Sequence, residues 1–178
     1  GRGLPDYKQL ATYRPPMVTR VHAGDGRLLA EFAREKRVFV PIEAIPKLVI
    51  NAVLSAEDKT FYDHPGIDVP GILSATVKNA LRFGSNRRPV GASTITQQVA
   101  KNFLLTNEVS IERKIKEMIL AFRIERAFSK QRILELYLNE IYLGFGSYGV
   151  AAAALNCFNR SLDELTTAEA AFLAGLPK

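Results

Sequence analysis

The chain has 178 residues, 47% of them apolar, and its 24 Lys and Arg against 18 Asp and Glu give a net charge of +6. That apolar content supports one domain with a real core, and the positive balance favours an anionic partner: phosphate, nucleic acid or an acidic membrane face. A single cysteine, Cys157, excludes an internal disulfide, two histidines disfavour a structural zinc site, and no run approaches the ~20 apolar residues of a spanning helix.

Residues 1–16 carry glycine, proline and polar residues and read as a lead-in segment. Met17–Val21 and Leu28–Phe32, separated by Ala23-Gly24-Asp25-Gly26, read as a β-hairpin with a glycine turn, and Val38, Val40 and Ile42 as a third extended piece. From Pro46 the period becomes helical: Val49, Ala52, Val53 and Ala56 recur on one face and deliver Glu57 at the helix end. The stretch 69–89 mixes Ile72, Leu73, Val77, Leu81 and Phe83 with Lys78, Arg82, Arg87 and Arg88. Two readings fit it, an amphipathic core helix with a polar loop and an interfacial segment that meets anionic lipid.

Thr94 and Gln97 form a capping box that opens the next helix, through Val99, Ala100, Phe103 and Leu104. Ser110 can cap another, with Ile111, Ile115, Met118, Ile119 and Phe122 as its apolar stripe and Arg113, Lys114 and Glu117 one turn apart. A helix from about Ser129 carries Ile133, Leu134, Tyr137, Leu138 and Ile141. Glycines 144, 146 and 149 break the pattern before a small-residue helix, Val150–Leu155. A final helix opens on the Thr166/Glu169 box and ends before Gly175. The class this predicts is mostly α. No signal-peptide pattern is visible, and the end at Gly175-Leu176-Pro177-Lys178 is expected to be a truncation point in a longer anchored protein.

Three strings look built for chemistry: Glu57-Asp58-Lys59-x-Phe61-x-x-His64-x-Gly66-x-Asp68, Gly91-Ala92-Ser93-Thr94-Ile95-Thr96-Gln97-Gln98, and Arg113-Lys114-x-x-Glu117. Two carboxylates from separate segments, with hydroxyls and cations nearby, can serve sugar transfer. A capped helix N-terminus is a ready anion site. His64 reads as a hydrogen-bonded loop residue rather than a metal ligand or base, and Asp58 and Asp68 as holders of loops, Asp58 lying near enough to tune Glu57.

These strings, with Lys130-x-x-Ile133-Leu134-Glu135-x-Tyr137-Leu138-Asn139-x-Ile141-Tyr142-x-Gly144 and a looser fifth over 149–165, resemble in order the motifs of the family 51 glycosyltransferases. That family is the peptidoglycan polymerase module of class A penicillin-binding proteins and monofunctional transglycosylases. The 38–46 lead-in resembles the 1A type. The resemblance runs from about residue 17 to the end and implies a lysozyme-like helical domain over 17–178, with the small N-terminal β-hairpin. It implies polymerisation of lipid II into β-1,4-linked glycan strands, with inversion and release of undecaprenyl diphosphate. By the same resemblance Glu57 is the general base for the acceptor 4-hydroxyl. Ser93, Thr96, Gln97, Gln98 and Lys101 bind sugar and diphosphate oxygens, and Arg113 and Lys114 hold the donor diphosphate. Glu117 is the second catalytic carboxylate, beside the donor sugar or holding a divalent cation, magnesium or manganese. Lys59, Phe61, Glu135 and Asn139 belong to the matched strings as support, the last two bracing the site. The implied partners are lipid II, a lipid-linked glycan chain, an anionic membrane surface and phosphoglycolipid inhibitors such as moenomycin, with no nucleic acid. The implied location is the outer, periplasmic face of a bacterial inner membrane. Ala92, Cys157 and Asn159 stand where the family usually has glycine, tyrosine and glycine.

A lytic muramidase would share the fold and a glutamate but has no use for cations facing a diphosphate. A non-enzymatic module for membrane or nucleic acid would explain the charge but not Glu57 together with the 91–98 string.

Overall fold

The computed structural model describes residues 4–13, 19–22, 28–32, 36–82, 91–106, 108 and 110–177. Among these, seven α-helices dominate: α1 (Lys47–Glu57), α2 (Val69–Leu81), α3 (Ile95–Leu104), α4 (Ile111–Ala127), α5 (Lys130–Glu140), α6 (Val150–Phe158) and α7 (Thr167–Ala174). Among the described residues sheet is confined to two two-stranded pieces. Strands β1 (Thr19–His22) and β2 (Leu28–Phe32) pair antiparallel with an irregularity between Val21 and His22, as the hairpin reading requires; the glycine turn itself lies outside the described residues.

The expected third extended piece over 38–42 is corrected. Only Lys36–Arg37 (β3) is a strand, paired in parallel with β4 (Ser147–Tyr148), and residues 42–44 form a 3₁₀ turn. Side chains of α5 replace a ladder there. The Asn139 carboxamide accepts from Val40 N at 2.7 Å and donates to Val40 O at 2.9 Å, and Glu135 accepts from Ile42 N at 2.9 Å. Once those backbone groups are satisfied, a strand partner has nothing to add.

Caps set the helix ends. Thr94 accepts from Gln97 N at 3.1 Å while Gln97 accepts from Thr94 N at 2.9 Å, completing the box that starts α3. Ser110 and Ser129 cap α4 and α5, and Thr166 with Glu169 boxes α7. Helix α3 runs through the centre, packed against both α4 and α5, which is why Ile95, Val99 and Ala100 are fully buried. Helix α7 packs along α1 through Ala170, Leu173 and Ala174, opposite the buried Val49 and Val53. The last helix therefore buttresses the one that presents Glu57.

The stripe expected to face inward on α4 is also corrected. Ile111, Ile115, Ile119 and Phe122 are exposed, and Glu117, Leu120, Ala121 and Ile124 form the buried face. Leu120, Ala121 and Ile124 pack into the core and fix the rotation, and the isoleucines turn out as a consequence. The lead-in is partly core. Residues 7–11 form a 3₁₀ helix that buries Leu10, and Arg132 of α5 donates to the carbonyls of Leu10 (2.9 Å) and Tyr13 (3.1 Å).

Helix α2 buries only Ala75. Val69, Leu73, Val77 and Leu81 are exposed, Leu81 at 83%, and Ile72 is half-buried. An apolar helix face this open fits the interfacial reading rather than the core one. Phe83, Arg87, Arg88 and Pro89 lie outside the described residues.

Candidate active site

Glu57 closes α1 at the wall of a cleft of about 320 Å³, lined also by Asp58, Lys59, Asp68, Lys78, Ser93 and Thr94. The carboxylate is half-buried, and its Oε2 accepts from Gln98 Nε2 of α3 at 2.8 Å. A carboxylate oriented by one amide and open to the cleft can take a proton from a sugar hydroxyl.

Asp58 and His64 fix the relation between α1 and α3. The buried Asp58 carboxylate accepts from Ile95 N at 3.0 Å and from His64 Nε2 at 3.0 Å. His64 Nδ1 accepts from Gly66 N at 3.1 Å, so the proton of the neutral ring sits on Nε2, aimed at Asp58. Both ring nitrogens are occupied, leaving His64 no capacity as base or metal ligand. Asp68 caps α2 by accepting from Gly71 N at 2.9 Å.

Behind Ser93, which lines the cleft, stands α4. Lys114 Nζ donates to Ser93 Oγ at 2.8 Å and to Glu117 Oε1 at 2.5 Å. Its side chain is 44% exposed and that of Glu117 3%. One ammonium thus joins the cleft-lining serine to a buried carboxylate. Arg113, one residue earlier, turns about 100° away and lines a separate cavity of about 280 Å³ with Glu112 and Lys116, its buried Nε without a hydrogen-bond partner. The structure therefore sets Lys114, but not Arg113, on a serine of the Glu57 cleft.

Two residues of the 91–98 string point into the core. Thr96 is fully buried and donates to Glu125 Oε1 at 2.5 Å; Gln97 is consumed by the capping box. Lys101, one turn beyond Gln98, lines a cavity of about 590 Å³ with Glu140, Tyr142, Phe145 and Tyr148. Aromatic faces beside a carboxylate and a cation suit a sugar chain. Glu135 and Asn139 brace the 40–42 segment, as described above. Phe61 is fully buried beneath the Lys130 ammonium, 4.4 Å from its ring centroid.

Sequence reasoning missed Glu125. It accepts from Lys130 Nζ at 2.8 Å, and Lys130 also donates to His64 O at 2.7 Å. The signal was available: Glu125 lies just over two helical turns from Glu117, near the same inward face. Gly66 backs onto this pair. With φ +92° it occupies the left-handed region, and a Cβ there would stand 2.8 Å from Glu125 Cγ and 2.9 Å from the Ala121 carbonyl.

The residues present do not fit a protein-held divalent cation at Glu117. Its carboxylate already faces an ammonium, and the described residues contain no group of three or more His, Cys, Asp or Glu able to hold a metal ion. Nor is any helix among them long and apolar enough to cross a membrane.

A helical domain with an oriented carboxylate in an open cleft, a lysine bonded to a serine of that cleft and an aromatic-rimmed cavity one helical turn away is an arrangement suited to sugar transfer. The chain belongs to the transglycosylase family, whose model matches residues 25–178, and it is a peptidoglycan glycosyltransferase by that membership. It is similar to penicillin-binding protein 1A of Rickettsia felis, 60% identical over 99% of this chain and 22% of the relative. The protein of the same name from Rickettsia prowazekii is 61% identical over 98% and 22%, and that from Aquifex aeolicus 49% identical over 99% and 24%. The crystal structure of penicillin-binding protein 1A from Haemophilus influenzae aligns with a TM-score of 0.43 and 26% identity, covering 93% of this chain and 14% of that one. The chain thus spans 22% of the length of its first relatives.

Proposed function

We propose that this domain polymerises lipid II, extending a lipid-linked glycan chain by β-1,4 linkages at the outer face of a bacterial inner membrane. The observation that carries the reading is Glu57, held by Gln98 in an open cleft that Ser93 also lines, with the Lys114 ammonium bonded to that serine. In this reading Glu57 takes the proton of the acceptor 4-hydroxyl as the oxygen attacks the anomeric carbon of the donor. The bond to the diphosphate breaks on the opposite face and undecaprenyl diphosphate leaves. An α-linked donor gives a β-linked product, so a single displacement with one base suffices and no covalent glycosyl-enzyme forms.

Lys114 supplies positive charge where negative charge grows on the leaving group. Glu117 holds Lys114 in place, and Ser93 shares its ammonium. The Lys101 cavity takes the sugars of the donor strand. The net charge of +6 and the exposed apolar face of α2 support a site that works against an anionic bilayer.

Substrate choice separates this reading from a lytic one. Incubated with lipid II in detergent, the chain should yield glycan strands on a gel while finished peptidoglycan stays intact. Release of fragments from finished glycan, with lipid II untouched, would assign it to the muramidases.

A further inference from the structure

We infer that Phe145 is a stacking platform for a pyranose ring of the growing glycan strand, a specificity-determining residue at the rim of the Lys101 cavity; the inference rests on the reading of that cavity as the donor-strand site. Phe145 has φ +50°, between Gly144 at φ +90° and Gly146 at φ +70°. Glycine takes this left-handed region freely, whereas a Cβ there is strained. Packing does not offset the strain, because Phe145 is 81% exposed. A strained residue that adds nothing to the core marks a functional position. The turn that carries it is closed on both sides: Leu143 N donates to Ser147 O at 3.0 Å, and Ser147 N to Gly144 O at 2.8 Å. The ring is therefore presented by a hydrogen-bonded tip.

Phe145 lines the cavity of about 590 Å³ together with Lys101, Asn102, Glu140 and Tyr142. Lys101 follows Gln98, the donor to Glu57, by one turn of α3, about 5 Å along the helix. A pyranose ring has apolar C–H faces and a polar edge of hydroxyl and acetamido groups. The rim supplies an aromatic face for the first, and the ammonium, amide and carboxylate supply donors and an acceptor for the second. The neighbouring ring is already occupied: Tyr148 has the Arg37 guanidinium 4.2 Å from its centroid and Tyr142 at 5.1 Å. Phe145 keeps its face open. That face carries the negative side of the ring quadrupole, so it suits a sugar and not the diphosphate.

The test is Phe145→Ala in the whole chain, with Phe145→Tyr and Phe145→Gly beside it. The probe is chitotetraose, a soluble β-1,4-linked tetramer of N-acetylglucosamine, titrated by calorimetry; the strands made from lipid II are sized on a gel. We expect Phe145→Ala to bind the probe roughly 3- to 10-fold more weakly, the range of one aromatic stacking contact. Its strands should be shorter, because a donor held less firmly leaves sooner. Phe145→Tyr should restore both readouts. Phe145→Gly should bind as weakly as Phe145→Ala while its melting temperature holds or rises, since glycine relieves the turn. A Phe145→Ala variant with wild-type affinity and strand length overturns the platform and leaves the polymerase reading standing. So does a wild type with no measurable affinity for the probe, or a Phe145→Gly variant that melts earlier, which assigns the ring to packing. A wild type that binds the probe but makes no strands from lipid II overturns the polymerase reading, and the donor-strand role of Phe145 with it.

Discussion

Lys114 and Arg113 are neighbours in sequence with different surroundings, since successive helix residues point about 100° apart. Lys114 reaches Ser93 at the cleft; Arg113 lines the cavity beside Lys116. Lys114→Ala should therefore weaken binding of moenomycin or of a lipid diphosphate by roughly 10- to 100-fold, the loss of a charge-assisted contact, and Arg113→Ala should weaken it less. Equal affinities for wild type and Lys114→Ala, by fluorescence or calorimetry, would reduce Lys114 to a salt-bridged helix residue. Glu125 tests the supporting network. Its carboxylate is buried and accepts from both Lys130 and Thr96, so Glu125→Ala takes the acceptor from a half-buried ammonium and a buried hydroxyl and should cost about 1–3 kcal/mol of stability in a denaturant titration. Asn159 shows why glycine is usual in the family at that position: it caps α6 in the left-handed conformation at φ +53°, which asparagine tolerates better than most residues.

At the level of elements, caps were legible and rotations were not. The boxes of α3 and α7 follow from Thr94/Gln97 and Thr166/Glu169, because a cap is a local hydrogen-bond pattern. Which face of α4 turns inward depends on how Leu120, Ala121 and Ile124 pack on the rest of the fold, a tertiary fact that places Ile111 and Ile115 outside against the apolar pattern. The 38–42 piece failed as a strand for a related reason, since its partners are side chains from a helix some 95 residues later. The exposed face of α2 yields a prediction. Leu73→Ser with Leu81→Ser should reduce binding to anionic liposomes and use of lipid II while hardly changing the melting temperature, because both side chains are already in solvent. A double variant with collapsed stability and unchanged liposome binding would put them in the core. The boxes that start the 162–164 turn and α7 are pH-sensitive. Backbone and side-chain hydrogen bonds from Ser161 and Thr166 hold Glu164 and Glu169 below the ordinary glutamate value of 4.5. Their contribution is complete above that pH and is lost as the pH falls through the lower, folded values. Since α7 buttresses α1, helical signal monitored below about pH 4.5 should fall earlier in wild type than in Glu169→Gln, whose amide keeps its capping capacity on protonation of its neighbours.

For the whole molecule, the class and the order of its motifs were readable because five strings keep their spacing along the chain, and the helices that carry them have strong periods. The division of labour inside the strings was not. Thr96 and Gln97 look like ligands in sequence and spend hydrogen bonds inside the fold, whereas Glu125 looks like an ordinary helix residue and ties Thr96 to Lys130. Only packing of α3 between α4 and α5 decides which hydroxyls and amides face the cleft. The central claim is that Glu57 is the base that lets one sugar hydroxyl attack another sugar. The most direct measurement is single-turnover polymerisation of lipid II by Glu57→Gln, with the melting temperature and moenomycin affinity of the same preparation recorded alongside. The rate should fall roughly 10²- to 10⁴-fold in a chain that still folds and still binds the inhibitor; a variant that folds, binds and polymerises near the wild-type rate would contradict the role of Glu57 as base.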